Sequence, residues 1–255
     1  MAVRPGCTNQ TALNTMNKLT CSIQAIHQAV HKLALLGVVL VAGVLSGCAS
    51  GPAPQVWESN AQSALQNASA AYLTGNTRVE EQDFARALRE LRATGRADLV
   101  ATAELTRCAA RAASLVFDDC PAYLPLAADV GIELRTYADY LAGRWQGLNV
   151  ALLPKHHAAV VANPASAAAL SQTKDPLSLL VVAGMLLKYG NLSQPVLDEV
   201  TLTAVQTASN QAWRRPLLAW LGVQIKSAES KGDATQVASL KRRIDLILNT
   251  AVQKP

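Results

Sequence analysis

The chain has 255 residues, 50% of them hydrophobic, 16% charged and 4% aromatic, which is ample apolar material for a core and excludes a disordered or collagen-like chain. Its formal charge of +5 is concentrated at one end. Residues 1–47 hold Arg4, Lys18 and Lys32 and no acid, which takes three of the 23 basic residues and leaves 20 against 18 acidic ones, so charge supplies no argument for a nucleic-acid partner.

From Leu33 to Leu45 the residues are LALLGVVLVAGVL, uncharged and mostly apolar, preceded by Lys18, His27, His31 and Lys32. This is the pattern of a signal peptide, an n-region followed by an h-region. The run is shorter than the roughly 20 residues that span a bilayer core of about 30 Å, so no permanent anchor helix is expected. The four residues that close it, Leu45-Ser46-Gly47-Cys48, resemble the lipobox of the bacterial lipoproteins: a leucine, two small residues, then the cysteine that is acylated. The resemblance implies that residues 1–47 are a lipoprotein signal peptide. It also implies that Cys48 becomes the mature N-terminus, carrying a thioether-linked diacylglycerol and an amide-linked acyl chain such as palmitate. Several acyl chains anchor stably where one is marginal, at about 0.8 kcal/mol per buried CH₂. Ala49 stands where retention in the inner membrane favours Asp, which implies the outer membrane, facing the periplasm. The competing reading is an ordinary secretory signal cut after Ala49 or Ser50, with Cys48 incidental. Met16 precedes Asn17-Lys18 and makes a more usual start than Met1.

Residues 48–55 form a lipidated Pro/Gly-containing tether no longer than roughly 25 Å. Helical spacing begins with Trp57, Ala61, Ala64, Leu65, Ala68 and Tyr72 and stops at Gly75-Asn76. A second helix starts at Thr77, with Glu80, Phe84, Ala87, Leu88 and Leu91 on one side, and stops at Gly95. The third has Asp98 as its N-cap and carries Leu105, Cys108, Ala109, Ala112, Leu115 and Val116 at helical spacing.

Cys108 and Cys120 are the two cysteines left once Cys7 and Cys21 are removed and Cys48 is acylated. An even pair beyond the inner membrane reads as a disulfide. A helix continuing from Cys108 to Val116 carries the chain about 12 Å away, and the four steps to Cys120 return at most roughly 13–14 Å, so the chain must turn straight back. Asp118-Asp119 and Pro121 favour that turn. The alternative is a Cys108 that is simply a small buried apolar residue.

A fourth helix carries Val130, Leu134, Tyr137, Ala138, Leu141 and Trp145 and ends between Gly143 and Gly147. A short helix follows through His156 and His157, then a turn or two over 165–171. Asp175-Pro176 opens a helix from Leu177 to Leu187 that is apolar on nearly every face and therefore central to the core. Residues 192–210 are ambiguous, because Val200-Thr201-Leu202-Thr203 alternates as a strand would. With no comparable partner strand elsewhere, helix is the expectation. Pro216 suits the first turn of the next helix, with Leu217, Leu218, Leu221, Ile225 and Ala228 inward and Gly232 as its stop. The last starts at Asp233 and carries Val237, Leu240, Ile244, Ile247, Leu248 and Ala251 as a heptad-like seam.

These elements predict an all-α domain over 56–255, with antiparallel helical hairpins packed as a single solenoid-like or bundle domain. The stretches AAYLTGNTRVEEQDFARAL and LAWLGVQIKSAESKGDATQVASLKRRI resemble tetratricopeptide repeats, with a helix, a Gly-Asn or Gly-Asp turn and a second helix. The resemblance covers about a third of the chain after Cys48 and implies an interaction module.

No nucleotide, hydrolase, zinc-protease or CxxC signature is present, so no catalytic residue, metal ligand or cofactor is assigned. His156 and His157, adjacent on a helix, point about 100° apart and read as surface or rim residues. Glu104, Arg107 and Arg111 read as an intrahelical ion-pair row. Trp213, Arg214 and Arg215 combine an aromatic with two guanidinium groups, as binding hot spots do, and are the candidate partner-binding residues. The function expected is a non-catalytic interaction or assembly module of the cell envelope, on the membrane through its lipid and bound to an envelope protein. The alternative is an enzyme acting on peptidoglycan or another glycan, with Glu104 or Glu133 as proton donor. A cleft holding a buried glutamate with a second acid nearby favours the alternative.

Overall fold

The computed structural model describes residues 55–252, with side chains described as far as Asn249. The signal segment 1–47, Met16, Cys48 and the tether up to Pro54 lie outside the described residues. Among the described residues there is no strand, and no helix is long and apolar enough to cross a membrane. The helices are α1 (Val56–Thr74), α2 (Thr77–Arg92), α3 (Ala97–Ala113), α4 (Ile132–Leu141), α5 (Lys155–Ala162), α6 (Ala168–Ser171), α7 (Pro176–Tyr189), α8 (Gln194–Asn210), α9 (Arg214–Ser230) and α10 (Ala234–Val252), with 3₁₀ turns at Leu124–Asp129 and Val150–Leu152. The architecture is all-α, as the periodicity predicts.

Gly75-Asn76 both ends α1 and starts α2. Gly75 takes φ +84°, and its N–H and that of Asn76 return to the carbonyls of Tyr72 and Ala71, which closes the C-terminal turn. The Asn76 side chain accepts the Val79 N–H at 3.3 Å and caps the next helix. The two helices then lie antiparallel. Buried Ala61, Ala64, Ala68 and Ala71 give α1 a face of small side chains, against which α2 sets Phe84, Leu88 and Leu91.

At the centre α3 crosses α7. Every residue from Leu180 to Leu186 is buried, as expected of a helix without a polar face. Gly184 lets the two backbones meet: a Cβ there stands 2.7 Å from the Ala112 carbonyl oxygen, closer than any side chain tolerates. Asp175 accepts the Ser178 N–H at 2.8 Å and caps α7, with Pro176 in its first position.

The alternating segment is helical in α8. Val200, Ala204 and Ala208 are buried with Thr201 and Val205, while Leu202 is 51% exposed, so burial follows a 3.6-residue period. In α10 Leu240 of the expected seam is buried, Val237, Ile244 and Ile247 are half-buried and Leu248 is exposed, while the Ala251 side chain lies outside the described ones.

Both ends of α3 differ from expectation. Arg96, not Asp98, is the N-cap, and Asp98 lies within the first turn, where its carboxylate accepts two hydrogen bonds from the Arg96 guanidinium. The helix stops at Ala113, and Leu115 reverses the chain at φ +61°. The return to Cys120 therefore starts three residues earlier than the apolar spacing suggests.

Candidate functional site

Glu104, Arg107, Cys108 and Arg111 share one face of α3, at successive helical turns. They do not form the intrahelical ion-pair row expected of them, because each arginine reaches off the helix. Arg107 Nε pairs with Glu80 Oε1 of α2 at 2.7 Å and its guanidinium lies 4.6 Å from the centre of the Phe84 ring. Glu80 stands on the apolar side of α2 and is buried, so Arg107 supplies the charge that such burial requires. Arg111 Nη2 pairs with Asp118 Oδ2 at 2.8 Å.

Asp118 organises the loop after α3. Its Oδ1 accepts the Cys120 N–H at 3.2 Å and lies 3.3 Å from Cys108 Sγ. Cys108 and Cys120 are joined by a disulfide with Cα atoms 5.8 Å apart, within the usual span of such a bridge. Cys120 is held at φ +50°, a backbone geometry uncommon for a residue with a side chain.

These groups line a cleft of about 210 Å³ floored by the disulfide and walled by Glu104, Arg107, Arg111, Asp118 and Tyr123. Glu104 is 8% exposed, and among the described residues it makes no hydrogen bond or ion pair. Burial raises its pKa above the ordinary carboxyl value, while the positive charges of Arg107 and Arg92 pull it partly back. Glu104 is thus the unpaired acid of a cleft whose two arginines are already matched. Glu133 is exposed, in the first turn of α4.

Trp213, Arg214 and Arg215 lie at the start of α9, and the structure brings them to the α1–α2 turn. Trp213 is half-buried against Tyr72, Leu73 and Ala110. Arg215 donates from Nε to the Tyr72 carbonyl at 2.8 Å and from Nη2 to Thr77 Oγ1 at 2.9 Å, with its guanidinium 4.2 Å from the centre of the Tyr72 ring. The Arg214 guanidinium lies over Gly75, where a Cβ stands 3.0 Å from Nη2. Together the three fasten α9 to the first hairpin, and none of them lines the cleft.

Two larger hollows, of about 270 and 370 Å³, run between α8, α9 and α10. Asp198, which lines the smaller of the two, is already matched by Lys231 at 2.7 Å and by Ser227 and Gln194.

His156 is part-exposed, as expected, but His157 is not a rim residue. His157 is 3% exposed, with ring centres of His156, Tyr140 and Tyr137 at 4.2, 4.7 and 5.4 Å. Burial, and then the neighbouring His156, lower its pKa from 6.5 to about 3. The Tyr137 and Tyr140 phenols are pushed up by burial.

Asp118, Tyr123 and the buried His157 are site or core groups that the sequence alone does not mark as such. Glu80 is buried on the apolar side of α2, in register with Phe84, Leu88 and Leu91, as the spacing predicts, while its pairing with Arg107 is not visible in the sequence. No protein-family profile matches the chain, no curated protein matches it, and no solved structure matches it.

Proposed function

We propose that this chain is a bacterial cell-envelope lipoprotein, held through acyl chains on Cys48 at the outer membrane and facing the periplasm. Its helical body acts as a non-catalytic interaction or assembly module of tetratricopeptide-like hairpins. The observation that carries this reading is the apolar run Leu33–Leu45 closing on Leu45-Ser46-Gly47-Cys48. The Cys108–Cys120 bridge supports it, since disulfides persist on the oxidising side of the inner membrane. Stacked hairpins offer grooves suited to helices or extended segments of partners.

Intact-mass analysis of the membrane fraction tests the anchor. The expected product begins at an acylated Cys48, and Cys48→Ser abolishes both palmitate labelling and membrane retention. A precursor left uncut, or cut elsewhere with a bare Cys48 thiol, sinks the reading. Crosslinking of the detergent-solubilised protein tests the module, and recovery of no specific envelope partner counts against it.

A glycan-acting enzyme is the second reading, and one observation favours it: the buried, unpaired Glu104 shares its cleft with Asp118. A carboxyl raised by burial suits a proton donor. Asp118, however, is bound to Arg111 and to the Cys120 N–H, a poor state for a nucleophile or base. If the reading holds, the protein releases muropeptides from purified sacculi, and Glu104→Gln lowers that rate by about 10²-fold or more. Absence of release by the unaltered protein rejects it.

A further inference from the structure

We propose that the Cys108–Cys120 disulfide masks a zinc site, in which the two thiolates and the Asp118 carboxylate bind one Zn²⁺ once the bridge is reduced. Sγ of Cys108, Sγ of Cys120 and a carboxylate oxygen of Asp118 all lie within 4.8 Å of one another. Around a tetrahedral zinc, with Zn–S about 2.3 Å and Zn–O about 2.0–2.2 Å, ligand atoms stand roughly 3.5–3.8 Å apart. Breaking the bridge asks the sulfurs to separate from roughly 2 Å to that spacing, a displacement within the reach of side-chain rotation.

The third ligand is already in place. Arg111 holds Asp118 Oδ2 at 2.8 Å, which leaves Oδ1 facing Cys108 Sγ at 3.3 Å and the Cys120 N–H at 3.2 Å. Both partners would remain on the carboxylate with a metal bound, and they fix its orientation in advance, as outer groups do for metal ligands. Two thiolates and a carboxylate around M²⁺ carry one excess negative charge, and the Arg111 guanidinium is placed to neutralise it. The cleft of about 210 Å³ gives the ion a route in and supplies water for the fourth position. Thiolate ligands select zinc over calcium or magnesium, which take oxygen ligands throughout.

The chemistry needs a dithiol reductant. One thiolate of the reductant attacks a sulfur of the bridge, the S–S bond breaks, and the second thiol resolves the mixed disulfide. Two electrons pass to the protein, the reductant becomes a disulfide, and Cys108 and Cys120 become thiols. Binding of M²⁺ then releases both thiol protons and forms two metal–sulfur bonds.

The test uses the full chain carrying Cys7→Ser, Cys21→Ser and Cys48→Ser, so that these two sulfurs are the only cysteine ligands. After reduction and removal of the reductant, titration with Co²⁺ is expected to give a near-ultraviolet thiolate-to-cobalt charge-transfer band that saturates at one equivalent and is abolished by Zn²⁺. The oxidised protein is expected to give no band. Asp118→Asn is expected to weaken Zn²⁺ binding about tenfold or more. No band after reduction, an equal response from the oxidised protein, or Zn²⁺ affinity unchanged in Asp118→Asn overturns the proposal. Should Asp118→Asn lose its helical circular dichroism, Cys120→Ser decides, since it retains Asp118 and Cys108 and must bind Zn²⁺ at least tenfold more weakly.

Discussion

Truncating Trp220 to alanine is expected to lower the free energy of unfolding by about 3–5 kcal/mol, the range for removing a fully buried large aromatic side chain. Trp220 is 0% exposed and joins the main core, which Leu180, Met185 and Leu186 of α7 and Leu105 of α3 also enter. Two losses add at this position. The indole leaves a void that backbones already in close contact, such as those at Gly184 and Ala112, have little freedom to fill. Its N–H also donates to the Ala113 carbonyl at 3.1 Å, a carbonyl in the last turn of α3, where helices leave acceptors without intrahelical donors. Trp220→Phe separates the two terms. It retains most of the ring and removes the donor, so a loss of about 1–3 kcal/mol is expected from the orphaned carbonyl and the smaller volume together. Urea unfolding with the disulfide intact measures both, with an unchanged m-value showing that only native stability has moved. A loss under about 1 kcal/mol for Trp220→Ala would mean that α9 does not close the core over the end of α3.

Much of the architecture was legible because it is written in local patterns. The nearly all-apolar surface of 177–187 marks a central helix, and α7 is buried from Leu180 to Leu186. Gly75-Asn76 combines a residue suited to positive φ with a good cap, and it performs both tasks. The strand-like alternation at 200–203 is helical in the fold, because a strand needs a partner and the sequence offers no comparable one.

What was hidden depends on which distant residue answers a charge or an apolar face. Glu104, Arg107 and Arg111 have the spacing of an intrahelical row, yet Glu80 and Asp118 are better placed, and only the fold brings them near. The end of α3 is not visible in the apolar spacing, because Leu115 and Val116 continue the stripe while Leu115 adopts a positive φ more usual for glycine. At the start of α9, Trp213, Arg214 and Arg215 carry the composition of a binding patch, and in the fold Arg215 lies against Tyr72 and Thr77. Composition does not distinguish a hot spot that meets another protein from one that meets the chain's own first hairpin.

His157 makes the same point with a larger measurable consequence, namely that the fold is expected to be acid-labile through one buried imidazole. In the unfolded chain the ring titrates at the model-peptide value of 6.5, and in the folded protein at about 3. Above pH 6.5 both states hold it neutral and stability does not depend on it. Between pH 6.5 and about 3 the unfolded chain binds a proton that the folded one refuses, so stability falls with falling pH by about 1.4 kcal/mol per unit. By pH 4.5 the loss amounts to about 2–3 kcal/mol, and it levels off below about pH 3. His156 adds to it with the same sign, since burial lowers its pKa too, with Asp175 pulling partly the other way. The tyrosines packed around the ring carry no charge across this range, because burial raises the Tyr137 and Tyr140 phenols further. The Nδ1 atom of His157 has no hydrogen-bond partner among the described residues, so the ring gives up little when replaced by an apolar one. His157→Phe is therefore expected to fold with near-unchanged stability at pH 7.5 and to be more stable than the unaltered protein at pH 4.5 by about 2–3 kcal/mol. Urea midpoints at the two pH values decide it. An equal fall in both proteins would place the acid sensitivity elsewhere, in carboxylates such as Asp198, which the hydrogen bond from Lys231 holds below the ordinary carboxyl range and whose ion pair fails as it protonates.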